Sequence, residues 1–326
     1  MDLSLSPDEI LFRDEVKNLI AAAFPPPERY DGGPAHERRW HAALLERGEK
    51  MQLTYTVRNT ARAIGARTSS HIVRKYGMTG LAPGHLTVQL RGSAGQSLGA
   101  FAVQGLRIEL TGEANDYVGK GLPGATIVVR PSPHLAAPEA NALIGNTVLY
   151  GATSGRLFAA GRAGERFAVR NSGATTVIEG CGDHGCEYMT NGTVAILGKT
   201  GKNFGAGMSG GTAYVFDLER DQVNRDSLAS GELTLSELDS ADAEIVRDLL
   251  ERHVVEADPA GVLVVDPGQR RRIRHGSVGR VGHRAVAVGR RRRAARGHAH
   301  AHEDGRRRHP RPSRRRALPR RVSRGS

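Results

Sequence analysis

Between Leu86 and Phe216 apolar residues come in short runs closed by glycine, with no long helical period among them. The runs LTVQL, LRIEL, ATIVV, TVLY, RFAV, TTVIE, TVAIL and TAYVF have the length and β-branched content of strands. Glycines beside these runs recur at a fixed interval. Gly105, Gly124, Gly145 and Gly164 are 19, 21 and 19 residues apart, and Gly173, Gly192 and Gly211 are 19 apart. The step from Gly164 to Gly173 is 9 residues, about half a period. A repeat near twenty residues, each unit pairing glycine turns with short strands, predicts a solenoid whose units bury their apolar faces by stacking. The expected fold is mainly β: a β-helix of glycine-rich repeats, right-handed by the convention of such folds, flanked by short helices.

The flanks read differently. Ser6 and Glu9 form a capping box with Pro7 between them, and Phe12, Val16, Leu19, Ile20 and Ala23 share one face, predicting a helix over 1–24. A second helical piece, His36 to Arg47, contains the single Trp40. A third is expected from Asn59 to Tyr76, ended by Gly77. After a polar connector, Ser236 is placed to cap a last helix carrying Leu238, Ala241, Ile245, Leu249 and Val254 on one side. The expected divisions are a helical extension over 1–50, a helical lead-in over 51–80, the repeat domain over 81–218, a connector and helix over 219–258, and a tail over 268–326.

Charge alters the picture only at that tail. The formal net charge is +13, yet residues 268–326 hold 21 Arg, no Lys, and only Glu303 and Asp304 as acids. The tail therefore carries +19 and residues 1–267 carry −6. An exposed arginine tail of this kind predicts salt-dependent nucleic-acid binding, without the aromatics that stack on single-stranded bases. Its composition (Arg, Gly, Ala, Pro and His, without Lys, Asn, Thr, Phe or Tyr) is also what GC-rich DNA yields when read in a wrong frame. A disordered, frame-shifted end is the expectation. Two cysteines in 326 residues give no disulfide framework. The first sixteen residues lack the basic and apolar regions of a signal peptide, and no stretch has the length of a membrane span. Cytoplasmic location is expected.

The candidate chemistry lies among the repeats. G-x-G-x-x-G occurs three times, at Gly119-Gly121-Gly124, Gly180-Gly182-Gly185 and Gly205-Gly207-Gly210. A dinucleotide site needs a helix directly after those glycines, and strands are expected after the first two copies. The stretch Gly192-TVAIL-Gly198-Lys199-Thr200 has one residue too many for a P-loop, and a strand where the loop belongs. Cys181, Asp183, His184, Cys186 and Glu187 are metal ligands by type, but no second cysteine pair accompanies them. The favoured reading has Asp183 and His184 bonding turn backbone and both cysteines packing inside. Asn115, Asp116, Arg170 and Asn171 are further turn or interface residues. No catalytic, cofactor-binding or metal-ligating residue is expected.

The strings RNTARAIGARTSSHIVRKYG, GSAGQSLGAF, GEANDYVGKGLPGATIVV, GNTVLYGATSG, GERFAVRNSGA, GDHGCEYMTNG and LGKTGKNFGAGMSGGTAYV together resemble the C-terminal domain of the glutamate synthase large subunit. The resemblance runs from Met51 to Phe216, more weakly to Val255, and implies a right-handed glycine-rich β-helix. In the complete enzyme it implies ammonia release from glutamine, transfer to 2-oxoglutarate at a flavin-binding barrel, and reduction to glutamate. FMN, an iron–sulfur cluster and electrons from NAD(P)H or ferredoxin belong to that complete enzyme, and none is expected on this chain. The β-helix then serves as a scaffold for the other synthase domains or subunits, its partners. Self-association through uncovered ends is a further expectation. Residues 1–48 resemble the N-terminus of acyl-CoA dehydrogenases, with none of that family's flavin-binding or catalytic parts. The join is expected at Glu49-Lys50-Met51.

Overall fold

The structure, a computed structural model, describes residue 44 and residues 47–133, 135, 141–216 and 218–257, with short strands at 263–264, 272–273 and 286–289. Every described residue lies in the unit Met1–Arg291. The helices expected over 1–24 and 36–47 fall outside the described residues apart from Leu44 and Arg47, as does most of 268–326.

The fold is mainly β. Strands β1 (Met51–Val57), β2 (Leu86–Ala94), β3 (Leu106–Ala114), β4 (Pro123–Arg130), β5 (Ala142–Ile144), β6 (Ser154–Ala163), β7 (Ser172–Gly180), β8 (Asn191–Ile196) and β9 (Thr212–Val215) follow in chain order. They pair in parallel as β1-β2-β3-β4-β6-β7-β8-β9, with β5 beside β3 and β6. Most strands meet the next about twenty residues on: Leu86 faces Leu106, Arg107 faces Thr126, Arg156 faces Thr175 and Thr193 faces Thr212, while Met51 faces Leu86 and Thr126 faces Arg156 across longer connections. Parallel neighbours cannot be joined by hairpins, so each connection must cross back over the sheet.

Register stacks like residues into columns. Val88, Ile108, Ile127, Leu157, Thr176, Val194 and Ala213 form one buried column. Two residues further along, Leu90, Leu110, Val129, Ala159, Ile178, Ile196 and Val215 form another. The residues between them point to the opposite face, as strand geometry requires. There Val128, Phe158, Val177, Ala195 and Tyr214 are covered by the last helix.

That helix is α3. The others are α1 (Ala66–Tyr76) and α2 (Arg225–Ala229), with β10 (Thr234–Glu237) preceding α3 (Ser240–Ala257). α1 is shorter than the sequence predicts, because residues 59–65 form a turn, while Gly77 ends it at φ 71° as expected. α2 was not anticipated. α3 begins four residues beyond Ser236, which lies in β10. Its buried face is Val246, Leu249, Leu250, His253, Val254 and Ala257, whereas Ile245, expected inside, is 41% exposed. Burying each of its Val and Leu side chains contributes about 1.5–3 kcal/mol. β11 (Leu263–Val264), just ahead of the predicted tail, pairs with β12 (Arg272–Ile273) within it. β13 (Val286–Gly289) runs antiparallel between β9 and β10.

Two predicted strands are turns. TVLY and RFAV lie in the crossing segments, with left-handed backbone at Thr147, Leu149, Arg166 and Ala168. In their place β6, unremarked in the sequence, is a ten-residue strand.

Candidate functional site

The crossing segments place the candidate residues, and their backbone follows one rule. In each repeat three alternate residues take positive φ: Ser97, Gly99 and Phe101; Tyr117, Gly119 and Gly121; Thr147, Leu149 and Gly151. Arg166, Ala168 and Arg170 follow, then His184, Cys186 and Tyr188, then Asn203, Gly205 and Gly207. Alternation of hand turns successive peptide groups, so amides donate alternately to the repeat after and the repeat before. The Tyr117 amide donates to Asn146 O, Gly119 to Leu98 O and Gly121 to Tyr150 O. His184, Cys186 and Tyr188 donate to Lys202 O, Phe167 O and Ala206 O. This network satisfies backbone groups that burial would otherwise leave costly. A left-handed L-residue costs about 1–2 kcal/mol, which glycine avoids, hence the glycines at many of these positions.

The regular glycines fall at two different corners, which explains the half-period step. Gly105, Gly124, Gly173, Gly192 and Gly211 stand where strands begin. Gly145 and Gly164 stand where β5 and β6 end. At the first corner a Cβ on Gly105 would come 2.4 Å from Leu81 Cβ, and one on Gly173 would come 2.1 Å from Thr153 O. At the second, Gly145, Gly164, Gly182 and Gly201 are linked in series by amide-to-carbonyl bonds from each to the one before, except that Gly145 donates to Ala114 O.

Side-chain carboxylates and amides line this second corner. Asp116 Oδ1 accepts from the Asn146 amide at 2.8 Å, Asn146 Oδ1 from Glu165 at 2.8 Å, and Asp183 Oδ1 from Lys202 at 2.7 Å. Asn115 Oδ1 accepts from the Asp116 amide, and its Nδ2 donates to Asn59 Oδ1. Asn171 is fully buried: its Oδ1 accepts from the Gly173 and Ala174 amides and its Nδ2 donates to Ala174 O. Arg170 lies 5.8 Å from the Tyr188 ring centroid.

His184 departs from the expectation of a backbone bond. Its Nδ1 meets Glu187 Oε1 at 2.5 Å and lies 3.2 Å from Asn203 Nδ2, while Asn203 Oδ1 accepts from Asn224 Nδ2 at 2.5 Å. The left-handed backbone at His184 turns its ring toward the neighbouring side chains. Sequence also missed a second histidine–glutamate contact, fully inside. His253 on α3 meets Glu179 on β7 at 3.0 Å. Both ends of α3 are tied down nearby. Arg107 pairs with Glu109 and Glu256, and Arg130 donates to Glu256 O. Tyr214 Oη donates to Asp242 Oδ1 at 2.9 Å. Partial burial disfavours the Arg107 and Glu109 charges, but their contact holds the Glu109 carboxyl below its ordinary range, and Glu256 together with Glu109 raises the Arg107 guanidinium.

The cysteines do not fit an iron–sulfur cluster, which takes thiolates from four cysteines. Cys181 and Cys186 are fully buried and free. Burial pushes the Cys181 thiol up to about 12 and the Cys186 thiol well above its ordinary value. Both are held as neutral thiols. Among the described residues, no group of three or more His, Cys, Asp or Glu is placed to hold a metal ion. None of the three G-x-G-x-x-G strings leads into a helix: β4 begins within the first, β8 follows the second and β9 the third. Nor are the strings equivalent. Gly119-Gly121 and Gly205-Gly207 occupy left-handed positions two and three of a repeat, whereas Gly180 lies at the end of β7. No helix among the described residues is long and apolar enough to cross a membrane.

Residues 37–261 match the family model described as GXGXG motif. The glutamate synthase [NADPH] large chain of Azospirillum brasilense is 59% identical over 217 residues, 65% of this chain and 14% of that one. Glutamate synthase [NADH] of Schizosaccharomyces pombe is 48% identical over 214 residues, 64% of this chain and 10% of that one. Ferredoxin-dependent glutamate synthase 2 of Synechocystis sp. is 50% identical over 205 residues, 62% and 13%. The chain thus spans 10–14% of the length of these relatives. The family match starts at 37, ahead of the join expected at Glu49-Lys50-Met51, so the segment containing Trp40 falls inside it.

Proposed function

The chain belongs to the GXGXG family, as the C-terminal domain of glutamate synthase large chains, and from that premise we propose that it acts as their scaffold domain. Its parallel strands and stacked crossings fit a β-helix, in which each repeat rests on its neighbours and the whole forms a stiff support. The glutamine-splitting, FMN-binding and iron–sulfur parts of the synthase reaction then reside in the rest of the enzyme. This chain supplies no catalytic group and is inactive alone.

One observation carries this reading: the polar side chains of the candidate corner are spent on the backbone of adjacent repeats. Asp116, Asn146 and Asp183 each accept a main-chain amide of the next repeat, while Asn171 is bonded to the backbone of its own turn. An oxygen committed to holding repeats together is poorly placed to attack or protonate a substrate. The test is to supply the purified chain with glutamine, 2-oxoglutarate and reduced ferredoxin or NADPH. No glutamate is expected. Steady glutamate formation by the chain alone would overturn the reading.

A further inference from the structure

Several aromatic rings on the crossing segments are exposed at a backbone cost. Phe101 is 57% exposed at φ 56°, and Tyr188 is 54% exposed at φ 51°. Both belong to the third left-handed column, where Gly121, Gly151 and Gly207 take the same conformation without strain. A bulky residue there costs about 1–2 kcal/mol, and at such exposure the chain itself recovers little of that by burial. Strain kept in exchange for an exposed ring points to contact with something else. Aromatic side chains and arginine are what interfaces concentrate.

The column has shape as well as exposure. The Phe101 ring lies against Gly121, where an added Cβ would come within 2.5 Å of it, and the Tyr188 ring lies against Gly207 at 2.6 Å. Between them Gly151 is bare, with nothing within 4 Å of where a Cβ would stand. Amide bonds link the column in register, so Phe101 and Tyr188 are four repeats apart, about 19 Å at ordinary strand spacing. Arg170 beside Tyr188 and Lys120 at 5.5 Å from the Tyr117 ring make the edge basic. Neither cation is paired with a carboxylate among the described residues.

We propose that this edge, from Phe101 to Tyr188, docks another domain of a glutamate synthase large chain. That domain presents an apolar side chain to the notch at Gly151 and carboxylates to Lys120 and Arg170. The proposal rests on the scaffold reading above. Its occupant is chosen on two grounds. The relatives place this segment in a polypeptide of which it is 10–14%, so most of what surrounds it is the rest of that polypeptide. Two copies of the chain joined symmetrically through this edge would set Lys120 and Arg170 against like charges, which is unfavourable.

The test is calorimetric titration of the full chain into the Azospirillum brasilense large chain produced without its matching segment, with flavin absorbance verifying that the truncated chain is folded. Phe101→Asn with Tyr188→Asn removes the rings while retaining a residue type that tolerates left-handed backbone. Arg170→Glu reverses one charge. Both variants are expected to bind at least tenfold more weakly, with thermal midpoints no lower than that of the unaltered chain. Wild-type affinity in both variants would overturn this surface and leave the scaffold reading standing. Absence of binding by the unaltered chain would remove both. Loss of self-association in the variants, with synthase binding intact, would assign the edge to a second copy and overturn the proposal.

Discussion

His253 of α3 and Glu179 of β7 meet at 3.0 Å with side chains 0% and 6% exposed, joining the outer helix to the stacked sheet. Among the described residues His253 Nδ1 has no hydrogen-bond partner, so Glu179 is the contact the ring depends on. Removing one member of a buried pair strands the other, at about 3–5 kcal/mol. Glu179→Ala is expected to lower unfolding free energy by about that amount. Replacing both together with Leu and Phe should cost less. Denaturant titration of the single and double variants measures the difference, and equal losses would show that the pairing is not the source.

The glycine contacts divide substitutions into two grades. A Cβ on Gly112 would stand 2.0 Å from Gly92 O in backbone at φ 142°. Backbone cannot yield as a flexible side chain does, so Gly112→Ala is expected to cost about 3 kcal/mol or more, through overpacking and strain together. Gly77 has φ 71° but nothing within 4 Å. There Gly→Ala should cost about 1–2 kcal/mol, the left-handed penalty alone. Comparison of their denaturation midpoints checks the ranking.

Thr176 occupies the buried column between Leu157 and Val194, and its Oγ1 finds no partner among the described residues. Leaving a hydroxyl unsatisfied in an apolar interior costs about 1–3 kcal/mol. Thr176→Val preserves shape and removes the hydroxyl, so it is expected to stabilise by about 1 kcal/mol in thermal unfolding.

The cysteines predict a dependence on alkaline pH. Burial raises both thiols in the folded state, Cys181 to about 12. Below the unfolded pKa of about 8.5 both states hold the protons and pH has no effect. Above it the unfolded thiols ionise while the folded ones do not, so stability falls as pH rises from about 8.5 toward 12. The slope approaches about 1.4 kcal/mol per pH unit for each thiol. Cys181→Ala with Cys186→Ala should flatten the decline. A thiol reagent at pH 8 should leave both residues unlabelled until the chain unfolds.

The strands and interval were legible because burial writes itself as runs of Val and Ile in β4 and β7, buried on both faces, and as apolar–polar alternation in β2 and β3. The crossings were misread for a physical reason. Alternating left- and right-handed residues also have a period of two, so Thr147-Val-Leu-Tyr150 and Arg166-Phe-Ala-Val169 mimic strand alternation. Nor does a lone sequence mark Arg166, Ala168, His184 or Cys186 as left-handed, since glycine is the usual sign of that conformation. At the candidate corner, turn chemistry made a backbone partner for Asp183 legible, but not that it would be the Lys202 amide of the next repeat. The contacts of His184 with Glu187, and of His253 with Glu179, were not. The first depends on an unmarked left-handed residue, and the second joins residues 74 apart in the chain.

The most direct measurement of the scaffold role is complementation of a large chain that lacks its matching segment. Glutamate formation from glutamine and 2-oxoglutarate is followed for the truncated chain alone, for this chain alone, and for the two mixed. Scaffold action predicts little product from either alone and substantial recovery in the mixture. Full activity of the truncated chain by itself, unchanged on mixing, would contradict it.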